Sequence, residues 1–136
     1  PHPTEPKVYI AGNGSDEIIE VNTTLWEITN RINTGKGPYN IDISADGKFL
    51  VATLKSDAKT LVWQLNKKNP SIISNNSTVS HGVVISPDSK YAFVTVEGVG
   101  GDPGLVDVID LEKAKVVSSV NIGKQAGGIA FWKIEE

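Results

Sequence analysis

Ser44-Ala45-Asp46-Gly47-Lys48 returns 42 residues later as Ser86-Pro87-Asp88-Ser89-Lys90, and each copy stands between two apolar runs. A repeat with a fixed period near 40 residues is typical of architectures that are built from one recurring supersecondary unit. Aspartate at this place hydrogen-bonds nearby backbone amides, so Asp46 and Asp88 are predicted to form turns rather than a catalytic pair. The repeat therefore predicts the overall architecture before any single element is assigned.

Apolar residues alternate at period two inside each unit, and the runs are rich in Val, Ile, Tyr and Thr, which predicts short β-strands. The predicted strands are residues 8–11, 17–21, 27–33, 39–43, 48–54, 60–65, 71–74, 82–85, 91–97, 105–110, 115–121 and 127–132. Four strands per unit are the blade of a β-propeller. We therefore expect an all-β propeller chain with three four-stranded blades at about residues 7–47, 48–89 and 90–136, after an extended N-terminal tail over residues 1–6.

Four stretches carry a family resemblance: Val8-Tyr9-Ile10-Ala11-Gly12-Asn13, Gly35-Lys36-Gly37-Pro38-Tyr39, Ser86-Pro87-Asp88 and Val106-Asp107-Val108-Ile109-Asp110. They resemble the YVTN-type β-propeller repeat. The resemblance implies a secreted or cell-surface propeller that acts as a binding or scaffold module, and so an extracytoplasmic location (periplasmic, cell-surface or secreted). It also implies that the stretch after each Gly-Lys-x-Pro-like turn is the innermost strand of a blade.

Three blades are fewer than the roughly four to eight of a closed propeller, so something else must complete the ring. Two alternatives remain open. The chain is the C-terminal part of a longer propeller, or two copies form a six-bladed homodimeric ring in which each terminal strand completes the first blade of the other copy. The expected partner is therefore another protein or a second copy of this chain. The residues predicted at the seam are Tyr9, Ile10, Phe131 and Trp132.

The composition argues against several classes of function. The chain is 39% apolar and 21% charged, with a formal net charge of −3 and no basic stripe, which predicts no nucleic-acid partner. No apolar run approaches the roughly 20 residues that span a bilayer, so no membrane span is expected. The sequence has no cysteine, which excludes disulfides, thiolate metal sites and cysteine nucleophiles.

The candidate ligand-binding residues cluster around one end of the predicted inner strands. His81 occupies the same place in its repeat as Tyr39 and Gly127, just ahead of an inner strand. The residues predicted to line one channel mouth are Lys36, Tyr39, Asn40, His81, Lys124 and Gln125.

Two interpretations of His81 remain open. It is a haem or metal ligand, or a general base, in a cofactor-bearing propeller similar to the haem-binding domain of periplasmic nitrite reductases; or it donates a structural hydrogen bond to the backbone of a neighbouring blade. No other histidine and no carboxylate at matching spacing supports the first interpretation, so we expect no enzyme activity and no cofactor. Haem or a metal ion is kept as the alternative, and the identity of any metal is not predicted.

Overall fold

The computed structural model describes residues 1–134, and this part of the chain contains strands and no helix. The all-β prediction is confirmed. Residues 135–136, which end the third predicted unit, lie outside the described residues. The strands are β1 Lys7–Gly12, β2 Glu17–Asn22, β3 Glu27–Asn33, β4 Pro38–Ile43, β5 Phe49–Leu54, β6 Lys59–Gln64, β7 Ser71–Ser74, β8 Val79–Ile85, β9 Tyr91–Glu97, β10 Pro103–Asp110 and β11 Lys115–Lys124.

The strands form three antiparallel sheets. The first has the order β1-β2-β3, the second β4-β5-β6-β7 and the third β8-β9-β10-β11. Each of the two four-stranded sheets takes its first strand from the end of a sequence unit, because the tight Ser44–Lys48 and Ser86–Lys90 turns join that strand to the next as a hairpin. The first sheet has three strands within the described residues, so β1 lies at its edge.

The two copies of the repeat turn have the same hydrogen bonds. The Ser44 hydroxyl donates to Asp46 Oδ1 at 2.6 Å and accepts the backbone N–H of Phe49 at 2.9 Å. The Ser86 hydroxyl donates to Asp88 Oδ1 at 2.6 Å and accepts the N–H of Tyr91 at 3.0 Å. Asp46 Oδ1 also accepts the Lys48 N–H at 3.1 Å, and Asp88 Oδ1 accepts the Lys90 N–H at 3.3 Å, so both aspartates bond backbone amides of their turns as predicted.

The core consists of two apolar layers, one on each face of the second sheet. Alternate side chains of β5 enter opposite layers, because successive residues of a strand point to opposite faces, and all six residues of β5 are buried. The layer between the first and second sheets contains Ile18, Leu50, Ala52, Leu54, Leu61 and Trp63. The layer between the second and third sheets contains Phe49, Val51, Val62, Ile73, Val83, Ile85, Ala92, Val94, Val96, Ile109 and Leu111.

A threonine hydroxyl connects each four-stranded sheet to the inner segment that follows it. Thr53 Oγ1 in β5 accepts the N–H of Asn40 at 3.0 Å and donates to the carbonyl of His81 at 2.7 Å. Thr95, 42 residues later in β9, accepts the N–H of Gly82 at 2.7 Å and donates to the carbonyl of Gly127. Both threonines are at least 97% buried. The bond from Thr53 to His81 joins the second sheet to the third, and the bond from Thr95 joins the third sheet to the segment that begins at Gly127.

A buried carboxylate connects the second and third sheets at a second place, away from the inner strands. Asp107 is fully buried in β10, at the repeat position that Leu61 occupies in β6. Its oxygens accept four hydrogen bonds, from the Asn75 amide at 3.0 Å, the Asn76 backbone N–H at 3.0 Å, the Asn76 amide at 2.8 Å and the Ser119 hydroxyl at 2.5 Å. A buried charge is tolerated only when it is hydrogen-bonded, and these donors meet that requirement.

Two terminal segments differ from expectation. The strand predicted over residues 127–132 is wrong, since these residues pair with no strand within residues 1–134. A β-strand needs a hydrogen-bonded neighbour, and none of the strands within residues 1–134 lies beside this segment. The N-terminal tail, expected to be extended, bends so that His2 Nδ1 accepts the backbone N–H of Glu5 at 3.0 Å while His2 Nε2 lies 3.2 Å from the Gly47 carbonyl.

Candidate ligand-binding rim

Two of the predicted residues meet at one end of the inner strands. Tyr39 is the second residue of β4, and His81 is the third residue of β8 in the next sheet. Their ring centroids are 4.7 Å apart, with the ring planes inclined at 59°. Tyr39 is 44% exposed, so one part of its ring contacts His81 while another part faces solvent. An aromatic side chain of this kind gives a rigid, amphipathic contact surface.

Two further residues belong to this site and were not among the predicted channel-mouth residues. The Nζ atom of Lys55, just after β5, lies 4.4 Å from the centroid of the Tyr39 ring, which is a cation–π contact. Glu97, at the end of β9, places Oε1 3.3 Å from Nε2 of His81. We call Tyr39, Lys55, His81 and Glu97 the rim cluster. Lys55 and Glu97 are 42 residues apart and occupy the same repeat position, a signal that was present in the sequence.

The two ring nitrogens of His81 differ in their surroundings. Nε2 faces the Glu97 carboxylate. Nδ1 is buried and has no hydrogen-bond partner among the described residues. The interpretation in which His81 donates a hydrogen bond to a neighbouring blade's backbone stays a prediction; the contact that the structure shows is made by the His81 carbonyl, which accepts the Thr53 hydroxyl.

Lys36 and Asn40 flank the rim cluster but do not join it through any described contact. Lys36 Nζ lies 2.5 Å from Asp16 Oδ2. Its backbone N–H donates to Asp57 at 2.8 Å. The hydrogen bond with Asp16 raises the pKa of Lys36, and the same bond lowers the pKa of Asp16. Asn40 is exposed, and its backbone N–H is the donor to Thr53.

Lys124 and Gln125 line a separate cavity that shares Glu97 with the rim cluster. The cavity has a volume of about 450 Å³, and the loop over residues 98–102 forms its other wall. Gln125 has a left-handed backbone conformation, with φ 53°, directly after β11. Glu97 therefore stands between two surfaces, the rim cluster and this loop cavity.

The predicted seam residues lie in different environments. Tyr9 packs against the layer between the first and second sheets, and burial together with the nearby Glu20 carboxylate raises the pKa of its hydroxyl. Ile10, the next residue of β1, is 47% exposed. At the other end, Phe131 lies 5.9 Å from Phe93 between ring centroids, and Trp132 is 88% exposed.

The described residues offer few metal donors at this site. Among residues 1–134, no group of three or more His, Cys, Asp or Glu side chains is placed to hold a metal ion. His81 and Glu97 are the two donors that a cofactor at the rim cluster would meet. The same part of the chain holds no helix that could cross a membrane.

Comparisons with known proteins identify the class of fold. No protein-family model matches the chain, and no curated protein matches its sequence. Similar solved structures include hydrazine synthase from Kuenenia stuttgartiensis, with a TM-score of 0.80 and 25% identity over 87% of this chain and 34% of that one. A functionally unknown protein from Desulfotomaculum acetoxidans has a TM-score of 0.78 and 20% identity over 93% of this chain and 40% of that one.

A third similar structure contains the WD40 repeats of RRP9, with a TM-score of 0.77 and 15% identity over 92% of this chain and 38% of that one. The chain thus spans between about a third and two fifths of these structures. The fold is that of a partial β-propeller with three blades, which are the three sheets described above. Membership of the YVTN-type repeat class stays a prediction, because no family model matches.

Proposed function

We propose that this chain is a non-catalytic protein-binding scaffold and that the rim cluster is part of its contact surface. The observation that carries the proposal is the half-exposed Tyr39 ring, which His81 packs on one side and the Lys55 ammonium covers on another. Tyrosine held in this way is characteristic of residues that dominate binding energy at protein interfaces. The likeness to WD40 repeats supports the scaffold role at the level of the fold.

The ionisable groups around the rim support a binding role more than a catalytic one. His81 is paired with Glu97, and Lys36 is paired with Asp16. A general base must reach the proton that it removes; His81 Nε2 lies 3.3 Å from the Glu97 carboxylate, and the other ring nitrogen, Nδ1, is buried. Lys55 adds a positive charge beside an aromatic ring, which fits a partner segment that presents a carboxylate next to an apolar side chain.

We also propose an extracytoplasmic location, periplasmic, cell-surface or secreted. The resemblance of the repeat to secreted and surface propellers supports it. Fractionation of the source cells, with a protease that cannot cross the cytoplasmic membrane, tests this location: the chain should be released or degraded while that membrane stays intact, and recovery only after the cytoplasmic membrane is lysed would contradict it.

The binding role can be tested with a displayed peptide library. Peptides selected on the wild-type chain should lose about tenfold or more in affinity on Tyr39→Ala and on Lys55→Ala, because truncation of an interface anchor costs more than about 1.4 kcal/mol. The matched controls are Tyr91→Ala and Lys90→Ala. Tyr91 is an exposed tyrosine at the start of β9, and Lys90 directly precedes it, so both lie at the end of β9 opposite to Glu97. Equal affinity for the rim variants and the controls would overturn the proposal, as would a failure to select any peptide.

A second candidate function is the cofactor-bearing propeller with His81 as a haem or metal ligand. The buried Nδ1 atom, without a hydrogen-bond partner among the described residues, is the observation that favours it. A metal ion would be held by His81 and Glu97, whereas haem ligation would require Nε2 to leave Glu97. Optical titration of the purified chain with haem is the test. A Soret band that disappears in His81→Ala would support haem ligation, and an unchanged free-haem spectrum would reject it.

A further inference from the structure

The rim cluster carries unlike charges on the two sides of its aromatic pair. The ammonium of Lys55 lies 4.4 Å from the centroid of the Tyr39 ring. The Tyr39 ring contacts the His81 ring, with 4.7 Å between the centroids, and Nε2 of His81 lies 3.3 Å from the Glu97 carboxylate. The contacts therefore follow the order ammonium, phenol ring, imidazole, carboxylate. The positive charge belongs to the second sheet and the negative charge to the third.

Lys55 and Glu97 do not neutralise each other. Among the ion pairs of residues 1–134, Glu97 is joined to His81, and Lys55 is joined to no carboxylate. The two residues occupy the same repeat position in neighbouring blades. Sheets that pack face to face lie about 10 Å apart, so the two positions have roughly that separation, which about three residues of an extended chain would span.

Both charges remain available to a ligand. Contact with an aromatic face does not cancel the positive charge of Lys55. An imidazole is charged only when it is protonated, so neutral His81 leaves the negative charge of Glu97 uncompensated. Lys36, which flanks the rim cluster, differs because it already forms an ion pair with Asp16. The rim therefore offers a positive and a negative site on either side of the half-exposed Tyr39 ring.

We propose that the partner of the rim cluster is a segment that places an apolar side chain on Tyr39, an acidic residue beside Lys55 and a basic residue beside Glu97. This inference rests on the function proposed above and specifies the partner for that same site. A purely acidic segment would bring like charge to Glu97, and a purely basic one would bring like charge to Lys55. With charges about 10 Å apart, the acidic and basic residues belong within about four positions of each other in an extended segment.

Selection of random peptides from a displayed library tests this charge pattern. Peptides selected on the wild-type chain should carry an acidic and a basic residue on either side of an apolar one. Selection on Glu97→Gln should keep the preference for the acidic residue and lose the preference for the basic one, and selection on Lys55→Gln should do the reverse. The matched controls are Glu112→Gln and Lys90→Gln. They should leave both preferences unchanged, because both residues lie at the other end of β9 and β10.

A second measurement pairs each charge of the chain with its counterpart in one selected peptide. Replacement of the acidic residue of the peptide by its amide should weaken binding to the wild type about threefold or more. The same replacement should have little effect on binding to Lys55→Gln. Replacement of the basic residue by glutamine should depend in the same way on Glu97 and not on Lys55, because only groups in contact couple in such a cycle.

Two results would overturn the inference: selected peptides without a preference for a basic residue, or a basic residue whose effect does not depend on Glu97. If those peptides still lost affinity on Tyr39→Ala, the proposed binding role would stand without this charge pattern. Binding unaffected by Tyr39→Ala would instead contradict the proposed function, and this inference with it. If a rim variant fails to fold, the wild-type chain still decides, because replacement of the basic residue of the peptide must weaken binding to it.

Discussion

Replacement of Thr53 by valine tests whether the threonine hydroxyls hold neighbouring blades together. Valine has nearly the same shape, so the change removes the hydroxyl with little effect on packing. It leaves the N–H of Asn40 and the carbonyl of His81 without the partner described above. An unpaired buried polar group costs about 1–3 kcal/mol, and we therefore expect a loss of about 2–4 kcal/mol in the free energy of unfolding.

Urea denaturation followed by tryptophan fluorescence measures this loss. With a slope of about 2 kcal/mol per molar urea, the midpoint should fall by about 1–2 M. Thr53→Ser retains the hydroxyl and loses one methyl group, so it should cost only about 1 kcal/mol. Thr29→Val is the matched control, because its hydroxyl donates to Glu20 on an exposed surface, and it should change stability by no more than about 0.5 kcal/mol. Equal midpoints for Thr53→Val and Thr29→Val would refute the reasoning.

Three further predictions concern other contacts. Asp107→Leu should lower the free energy of unfolding by at least about 3 kcal/mol in urea denaturation, because the amide groups of Asn75 and Asn76 lose their acceptor. We expect this loss even though a leucine, Leu61, occupies the same repeat position in β6. A loss as small as that of the exposed Asp102→Asn would contradict this prediction. Gly82→Ala should accelerate amide exchange over residues 127–132, since the added Cβ would lie 2.6 Å from the Gly127 carbonyl oxygen; Gly128→Ala, with no atom within 4 Å of its Cβ, is the control, and equal exchange would reject the contact. The hydrogen bond from Ser86 lowers the pKa of Asp88 below 3.8. The ionised Asp88 therefore contributes stability above pH 3.8, and this contribution is lost as the pH falls through the lowered pKa. Between about pH 5 and pH 2, Asp88→Asn should lose less stability than the wild type, and parallel curves of stability against pH would contradict the assignment.

The sequence predicts the strands well because their positions depend on local information. The Ser-x-Asp-x-Lys turn forms its hydrogen bonds within five residues, and the side-chain alternation is a property of each strand by itself. The same reasoning fails at residues 127–132, where the composition favours a strand but the ladder depends on a neighbour. Strand formation there is set by what lies beside the segment and not by its own residues.

The rim cluster was only half predictable for a related reason. The repeat places Tyr39 and His81 at equivalent positions, so their meeting followed from alignment of the units. Lys55 and Glu97 are also equivalent to each other, yet one covers Tyr39 and the other pairs with His81. The repeat period reveals that two positions correspond, but it does not reveal which side chain of the adjacent blade each will meet. Tyr9 shows the same limit, since the repeat does not reveal that it packs, partly buried, against the layer between the first and second sheets.

The rim cluster is a property of two adjacent blades and not of either blade alone. Tyr39 belongs to the second sheet and His81 to the third, and the Thr53 hydroxyl fixes the His81 backbone to the second sheet. The bond between the two sheets therefore also holds next to each other the two strands that carry these rings. A substitution that separates these sheets should weaken binding at the rim even when it lies outside the contact surface. Without urea, where the variant remains folded, Thr53→Val should therefore reduce the affinity for rim-binding peptides. Thr53→Ser, which retains the hydroxyl, should not reduce it.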